Sequence, residues 1–192
     1  MWVDRAKATI VSVRTVVIGT LELWGDSTLR RYSAKTRDLR AVVELADGAE
    51  ESAELQSVVR AGHVKRVELI APIKGLTSGD GMLDRHLAKA LKSDRFEAVR
   101  FVADSFQLEL PSAPRAPSEL VARGTLTVAG LERPVVMTMS ASATTGGIRV
   151  VGRQNILMSD YGIEPPRLLL GALEAADLVV VKFDVELRMA SR

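Results

Sequence analysis

The side chains best suited to acid–base or metal chemistry lie around one predicted helix. The chain has only two histidines, His63 and His86, and Asp80 and Asp84 shortly precede the second. Two carboxylates and an imidazole in one cleft would form an acid–base cluster. Acidic residues at the start of a helix are also explained by the helix dipole alone. The two histidines belong to different elements and lack a metal-ligand spacing. We therefore predict no catalytic residue and no metal site, unless His86 and both aspartates converge.

Other motifs that carry chemistry are missing from the sequence. The chain has no cysteine, which excludes disulfides, thiolate chemistry and cysteine metal sites. It also has no GxSxG nucleophile elbow, no GxGxxG fingerprint and no phosphate-binding loop. There are 26 Lys and Arg against 24 Asp and Glu, and no basic run is dense enough to indicate nucleic-acid binding. The sequence thus favours a binding protein over an enzyme, without a cofactor and without a nucleic-acid partner.

Alternating apolar and polar residues predict β-strands along much of the chain. Residues 124–142 indicate a hairpin, in which Leu126 and Val128 share a face before the turn and Met137 and Met139 share one after it. Further strands are predicted over 38–46, 64–73, 98–110 and 178–189. Many strands, short turns and one helix indicate a single antiparallel β domain, either a barrel or a sandwich.

The strand over 98–110 changes phase midway. Val99 and Phe101 share one face, whereas Phe106 and Leu108 share the other. A β-bulge near Asp104 would place both sets on one side of the sheet. A strand that crosses from one packing layer to another would give the same pattern, and the sequence leaves these alternatives open.

One amphipathic helix is predicted over residues 81–93. Leu83, Leu87, Ala90 and Leu91 form a single apolar stripe at helical spacing. Because only one stripe is apolar, the helix should lie outside the β structure or across one of its ends.

The connection from 159 to 177 is long for a simple hairpin. Pro165 and Pro166 cannot supply ladder N–H groups, and Leu168, Leu169 and Leu170 then follow as an apolar run. We predict that these leucines are not part of a strand and form a lid or rim at one end of the barrel. A homodimer interface is the competing use of the same run.

The sequence contains no segment of about 18 apolar residues that would span a membrane. Charged residues, among them Asp4, Arg5 and Lys7, interrupt the N-terminal apolar residues, so this region does not resemble a signal peptide. We expect either a cytoplasmic chain or an exported chain whose signal has been removed.

Four further stretches are informative in the order in which they occur, namely LWGDSTLRRYSAKT, VELIAPIKGLTSGDGMLDRHLAKALKSDRFEAVRF, GTLTVAGLERPVVMTM and MSDYGIEPPRLLLGALEAADLVVVKFDVEL. Together they resemble the YceI-like family of polyisoprenoid-binding, lipocalin-like proteins. The resemblance implies an all-β fold: an eight-stranded antiparallel lipocalin-like barrel with one short α-helix, over residues 1–192 as a single domain. It also implies periplasmic or exported localisation.

The resemblance further implies that the barrel interior binds a long isoprenoid, an isoprenoid quinone or a fatty-acid-like lipid. The alternative is a filled barrel that serves as an envelope scaffold or protein-interaction module. The predicted ligand-binding residues are Val67, Leu69, Val99, Phe101, Leu126, Val128, Met137, Met139, Val181 and Phe183, which the alternation turns inward, and Tyr161, Leu168 and Leu169 of the long connection.

Overall fold

Strands dominate the computed structural model, which describes residues 11–46, 62–109, 116–168 and 173–189. One α-helix lies within these ranges, α1 (Gly81–Ala90). Short 3-10 turns occur at Ile73–Gly75 and Ser159–Tyr161. The strands in chain order are β1 (Val11–Ser27), β2 (Tyr32–Thr36), β3 (Arg40–Leu45), β4 (Val64–Pro72), β5 (Ala98–Glu109), β6 (Ser118–Val128), β7 (Leu131–Thr144), β8 (Gly147–Leu157), β9 (Arg167–Leu168) and β10 (Leu173–Met189).

Eight of these strands close into an antiparallel barrel in the order β1, β3, β4, β5, β6, β7, β8 and β10. Closure comes from β10, which pairs with β8 on one side and with β1 on the other. The long β1 pairs with β3 near its start and with β2 near its end. The eight-stranded barrel with one short helix is confirmed, and closure excludes the sandwich.

The predicted β-bulge in β5 is also confirmed. Asp104 has no partner in β6, because Ala103 pairs with Gly124 and the next residue, Ser105, already pairs with Arg123. The extra residue shifts the phase of the strand. Phe101 before the bulge and Phe106 after it therefore both face the barrel interior.

Helix α1 lies across one end of the barrel, which we call the helix end. The chain reaches it from β4 through the turn Ile73–Gly75 and leaves it into β5. The Asp80 carboxylate caps the helix by accepting hydrogen bonds from the N–H groups of Met82 (2.8 Å) and Leu83 (3.2 Å). The predicted apolar stripe packs on the buried cluster inside the barrel. The prediction that the helix lies across one end of the β structure is therefore correct.

The run Leu168, Leu169 and Leu170 was predicted to contain no strand, and this prediction is wrong for Leu168. Arg167–Leu168 form β9, a two-residue strand paired with Leu173 and Glu174 of β10. Proline removes a ladder N–H only at its own position, so the residues after Pro166 are free to pair. Leu169 and Leu170 lie outside the described residues, and the lid stays a prediction.

The β6–β7 hairpin turns through Ala129 and Gly130, which have positive φ angles of 50° and 82°. A two-residue turn with positive φ at both positions follows the twist of the flanking strands. A Cβ atom on Gly130 would overlap the ring of Phe96. Both the backbone and the available space therefore require glycine at this position.

Gly130→Ala is expected to lower the free energy of unfolding by about 2–5 kcal/mol, about 1–2 from the left-handed backbone and the rest from overpacking. Gly146→Ala is the matched control, because Gly146 has φ 83° and no atom within 4 Å of its Cβ position. The free energy of unfolding of Gly146→Ala should decrease only by the contribution of the left-handed backbone. Equilibrium urea unfolding measures both variants, and equal losses would show that Phe96 moves aside without cost.

Candidate binding cavity

The barrel contains a cavity of about 740 Å³ that is partly open to solvent, within the usual range for small-molecule sites of about 300–1,000 Å³. Its lining is mainly aliphatic and comes from residues at both ends of the barrel and from α1. The cavity therefore extends along the barrel axis. An interior with a void of this size is not a filled core.

The alternation of each strand places the predicted strand residues on the inner wall, and Tyr161 reaches the cavity from the turn Ser159–Tyr161. Every predicted ligand-binding residue whose side chain is described lines this one cavity, although ligand contact by any of them stays a prediction. Leu169 lies outside the described residues, and of Leu168 only the backbone is described. The predicted residues that line the cavity are Val67, Leu69, Val99, Phe101, Leu126, Val128, Met137, Met139, Tyr161, Val181 and Phe183.

Several lining residues were not among the predicted ones. The stripe of α1 was visible in the sequence, but its position over the lumen was not. The inner face of β1 was hidden because apolar Val16 and Ile18 lie on its outer face and obscure the alternation. The additional apolar lining residues include Val17, Leu21, Leu23, Leu83, Leu87, Ala90, Leu91, Met158 and Ile163.

The middle of the cavity is bordered by flexible and aromatic side chains. The barrel has two buried clusters, one toward each end, and Met139, Phe183 and Phe106 pack against both. Phe183 and Met139 lie opposite Gly152 in β8. A Cβ atom on Gly152 would come within 2.5 Å of Phe183 Cζ, so this glycine leaves the room that the ring occupies.

Polar side chains gather at the helix end. Arg30, Tyr32, Asp80 and His86 border the cavity there, and Arg30 Nη2 lies 3.8 Å from Asp80 Oδ2. Burial raises the pKa of the Tyr32 hydroxyl, and the nearby Asp26 raises it further. One oxygen of Asp80 is already committed to the helix cap.

The possible catalytic cluster does not assemble. Asp84 is not part of the cavity lining. Its carboxylate accepts hydrogen bonds from Ser78 N (2.7 Å), Ser78 Oγ (2.6 Å) and Thr77 Oγ1 (2.9 Å). Both aspartates thus hold the segment that leads into α1. Among the described residues, no three His, Asp or Glu side chains are grouped to hold a metal ion.

These two aspartates make the helix end sensitive to acid. The hydrogen bond from the Ser78 hydroxyl holds the pKa of Asp84 below its usual 3.8, and the backbone N–H groups of Leu83 and Met82 do the same for Asp80. A folded pKa below the unfolded value means that the unfolded chain binds protons more readily. The stabilisation is therefore complete above about pH 4 and is lost as the pH falls further.

We expect the urea concentration at the unfolding midpoint to decrease as the pH is lowered below about 4. The decrease should be less steep in Asp84→Asn. Asp94→Asn is the control, since Asp94 is exposed and has no hydrogen bond or ion pair with the described residues. Midpoints measured from neutral pH to pH 3 compare the three proteins. An Asp84→Asn profile identical to that of the native protein would contradict a structural role for this carboxylate.

The comparisons with known proteins agree with this geometry. The sequence model of the YceI-like domain matches residues 3–187. The chain belongs to the YceI-like family. No curated protein matches this YceI-like chain in sequence. Within the described ranges, no helix has the length and hydropathy that a membrane span requires.

Solved structures share the fold of this YceI-like protein. A polyisoprenoid-binding domain from Saccharophagus degradans, implicated in plant cell wall breakdown, has a TM-score of 0.65 at 9% identity and covers 96% of this chain and 100% of its own. Burkholderia cenocepacia BcnA has a TM-score of 0.63 at 13% identity, with 88% and 95% covered. The Campylobacter jejuni YceI protein has a TM-score of 0.56 at 15% identity, with 83% and 85% covered. At these identities the likeness shows the fold alone.

Proposed function

We propose that this protein binds a long apolar chain, such as an isoprenoid, an isoprenoid quinone tail or a fatty acyl chain, inside its barrel. The observation that carries the proposal is the axial, mainly aliphatic cavity of about 740 Å³. Membership of the YceI-like family and a fold shared with a polyisoprenoid-binding domain support this class of ligand. The role is carriage or storage of the chain without catalysis.

The lining explains what such a site selects. Burial of apolar surface contributes about 25 cal/mol per Å², and this interaction has no preferred direction. Polar residues border the cavity at both ends, Arg30 and His86 at the helix end and Lys65 at the other, so the apolar middle of the cavity discriminates by length and width. Met137 and Met139 have unbranched side chains that adapt to ligands of different shape.

The competing hypothesis of a scaffold or protein-interaction module requires a filled barrel. Its side chains would pack against one another across the lumen. A void of about 740 Å³ leaves many of them without that contact, which lowers stability in proportion to the volume that stays empty. A bound chain would restore those contacts.

A chain-length series tests the proposal. Protein stripped of lipid by reversed-phase extraction and refolding is titrated calorimetrically with farnesol, geranylgeraniol and solanesol. We expect saturable binding whose affinity rises with chain length until the cavity is filled. Heats that do not saturate for any of the three alcohols would contradict the proposal.

A further inference from the structure

The barrel wall contains an opening between β7 and β8. These strands pair next to their turn, and the pairing stops at Met139 opposite Gly152. Beyond this point Glu132–Thr138 of β7 pair only with β6, and Arg153–Leu157 of β8 pair only with β10. We call the opening between these two segments the β7–β8 split.

Two of the backbone carbonyls that face the split are bound by side chains of their own strand. In an antiparallel strand the N–H and C=O of one residue point to the same side, and those of the next residue point to the other side. The register therefore directs into the split the backbone groups of Glu132, Pro134, Val136 and Thr138 from β7 and of Arg153, Asn155 and Leu157 from β8. Pro134 lacks an N–H, and such an edge is where strands tolerate proline. The C=O of Glu132 accepts a hydrogen bond from Arg133 Nη1 (3.0 Å), and that of Asn155 accepts one from Gln154 Nε2 (3.1 Å).

The interior cavity and a groove on the outer surface share lining residues where the split begins. Gly152 has no side chain to separate the inside from the outside. Met139 and Phe183 consequently line both the interior cavity and a groove on the outer surface, which Thr138 and Arg153 also border. Met139 and Phe183 therefore border both spaces at this point.

The outer rim of the split carries several exposed apolar side chains among polar ones such as Thr138 and Arg153. Val136 on β7 is 53% exposed, and Val151 and Leu157 on β8 are 40% and 42% exposed. Leu178, which pairs with Leu157, is also exposed. The rim therefore presents apolar side chains to solvent beside the split.

The helix end of the split is covered. Segment Ser159–Ile163 lies against β7 and β8, with Tyr161 and Ile163 buried. Asp177 fixes this segment, because its Oδ1 accepts a hydrogen bond from Ser159 N at 2.8 Å. The open part of the split therefore lies between Tyr161 and Gly152.

We propose that the β7–β8 split is a lateral portal through which the apolar chain enters and leaves the cavity, an inference that rests on the proposed function. Passage here requires rotation of Met139 and Phe183 and breaks no backbone pairing, since none spans the split. Passage at the helix end would disrupt the Asp80 cap and the Asp84 hydrogen bonds to Ser78. The lateral route disrupts neither of these contacts.

Single cysteines test the route, since the native chain has none. Val136→Cys at the split is labelled with a bulky maleimide, and uptake of cis-parinaric acid, a fluorescent polyene fatty acid, is followed by stopped flow. Labelled Met82→Cys at the helix end, Lys65→Cys at the opposite end and Ile18→Cys on the outer face of β1 are the controls. We expect the Val136 adduct to slow uptake by at least about tenfold, a barrier increase of about 1.4 kcal/mol, and the other three to leave it unchanged.

The outcomes separate the portal from the proposed function. Slower uptake with the Met82 or Lys65 adduct, and not with the Val136 adduct, would overturn the portal while binding stands. Failure of the unlabelled protein to take up the probe or solanesol would contradict the proposed function itself.

Amide hydrogen exchange tests the split without any ligand, because the N–H groups of Val136 and Arg153 should exchange much faster than that of Ser140, which lies in the paired part of β7. Equal protection at all three amides would overturn the portal as well.

Discussion

Leu126→Asp is expected to prevent stable folding, whereas Thr127→Asp one residue along the same strand is expected to leave the barrel intact. Leu126 is 5% exposed and lines the cavity. Loss of a buried leucine costs about 2–5 kcal/mol, and a buried carboxylate without a partner adds several kcal/mol more. The sum approaches the whole stability of a typical domain, about 5–15 kcal/mol.

Thr127 is the matched control because it lies on the outer face, opposite Arg100 of β5. A carboxylate there meets solvent and a guanidinium group. Soluble yield and circular dichroism compare the two variants, followed by urea unfolding of those that fold. Two variants of equal stability would show that the inner and outer faces of β6 have been assigned incorrectly.

Val181→Trp is expected to weaken binding of a long isoprenoid alcohol by at least about tenfold, or about 1.4 kcal/mol, without loss of the fold. Val181 is half-buried and lines the cavity, so an indole there occupies volume that the ligand would fill. The partly empty lumen has room for the larger side chain, which limits the cost of overpacking.

Val180→Trp provides a control with the same change at the adjacent residue. Val180 pairs with Trp24 and is not part of the cavity lining, so its indole would lie outside the barrel. Calorimetric titration with solanesol compares both variants with the native protein. If Val180→Trp weakens binding as much as Val181→Trp does, the ligand does not occupy the lumen.

The sequence was most informative where each strand has one apolar and one polar face. The strands β3, β4 and β5 and the β6–β7 hairpin follow this pattern, and the phase change at Asp104 identified the bulge. The pattern failed for β1, in which Val16 and Ile18 are exposed on the outer face. It also failed for β8, where Gly152 and Gln154 interrupt the inner face, and these strands were not predicted individually.

The cavity itself could be predicted only in part. Alternation identifies which side chains point inward, but whether they meet across the lumen depends on strand tilt and on the volume that α1 leaves. The turn Ser159–Tyr161 and β9 depend on tertiary contacts with β7, β8 and β10. The β7–β8 split depends on where two strands stop pairing, and apart from Pro134 nothing in the sequence indicates that point.

Native mass spectrometry of the protein purified without detergent tests the central claim most directly. We expect a species heavier than the chain by the mass of one lipid, released by organic extraction and restored by incubation with solanesol. A spectrum that contains only the mass of the chain, before and after incubation with solanesol, would contradict a lipid-binding role for the barrel.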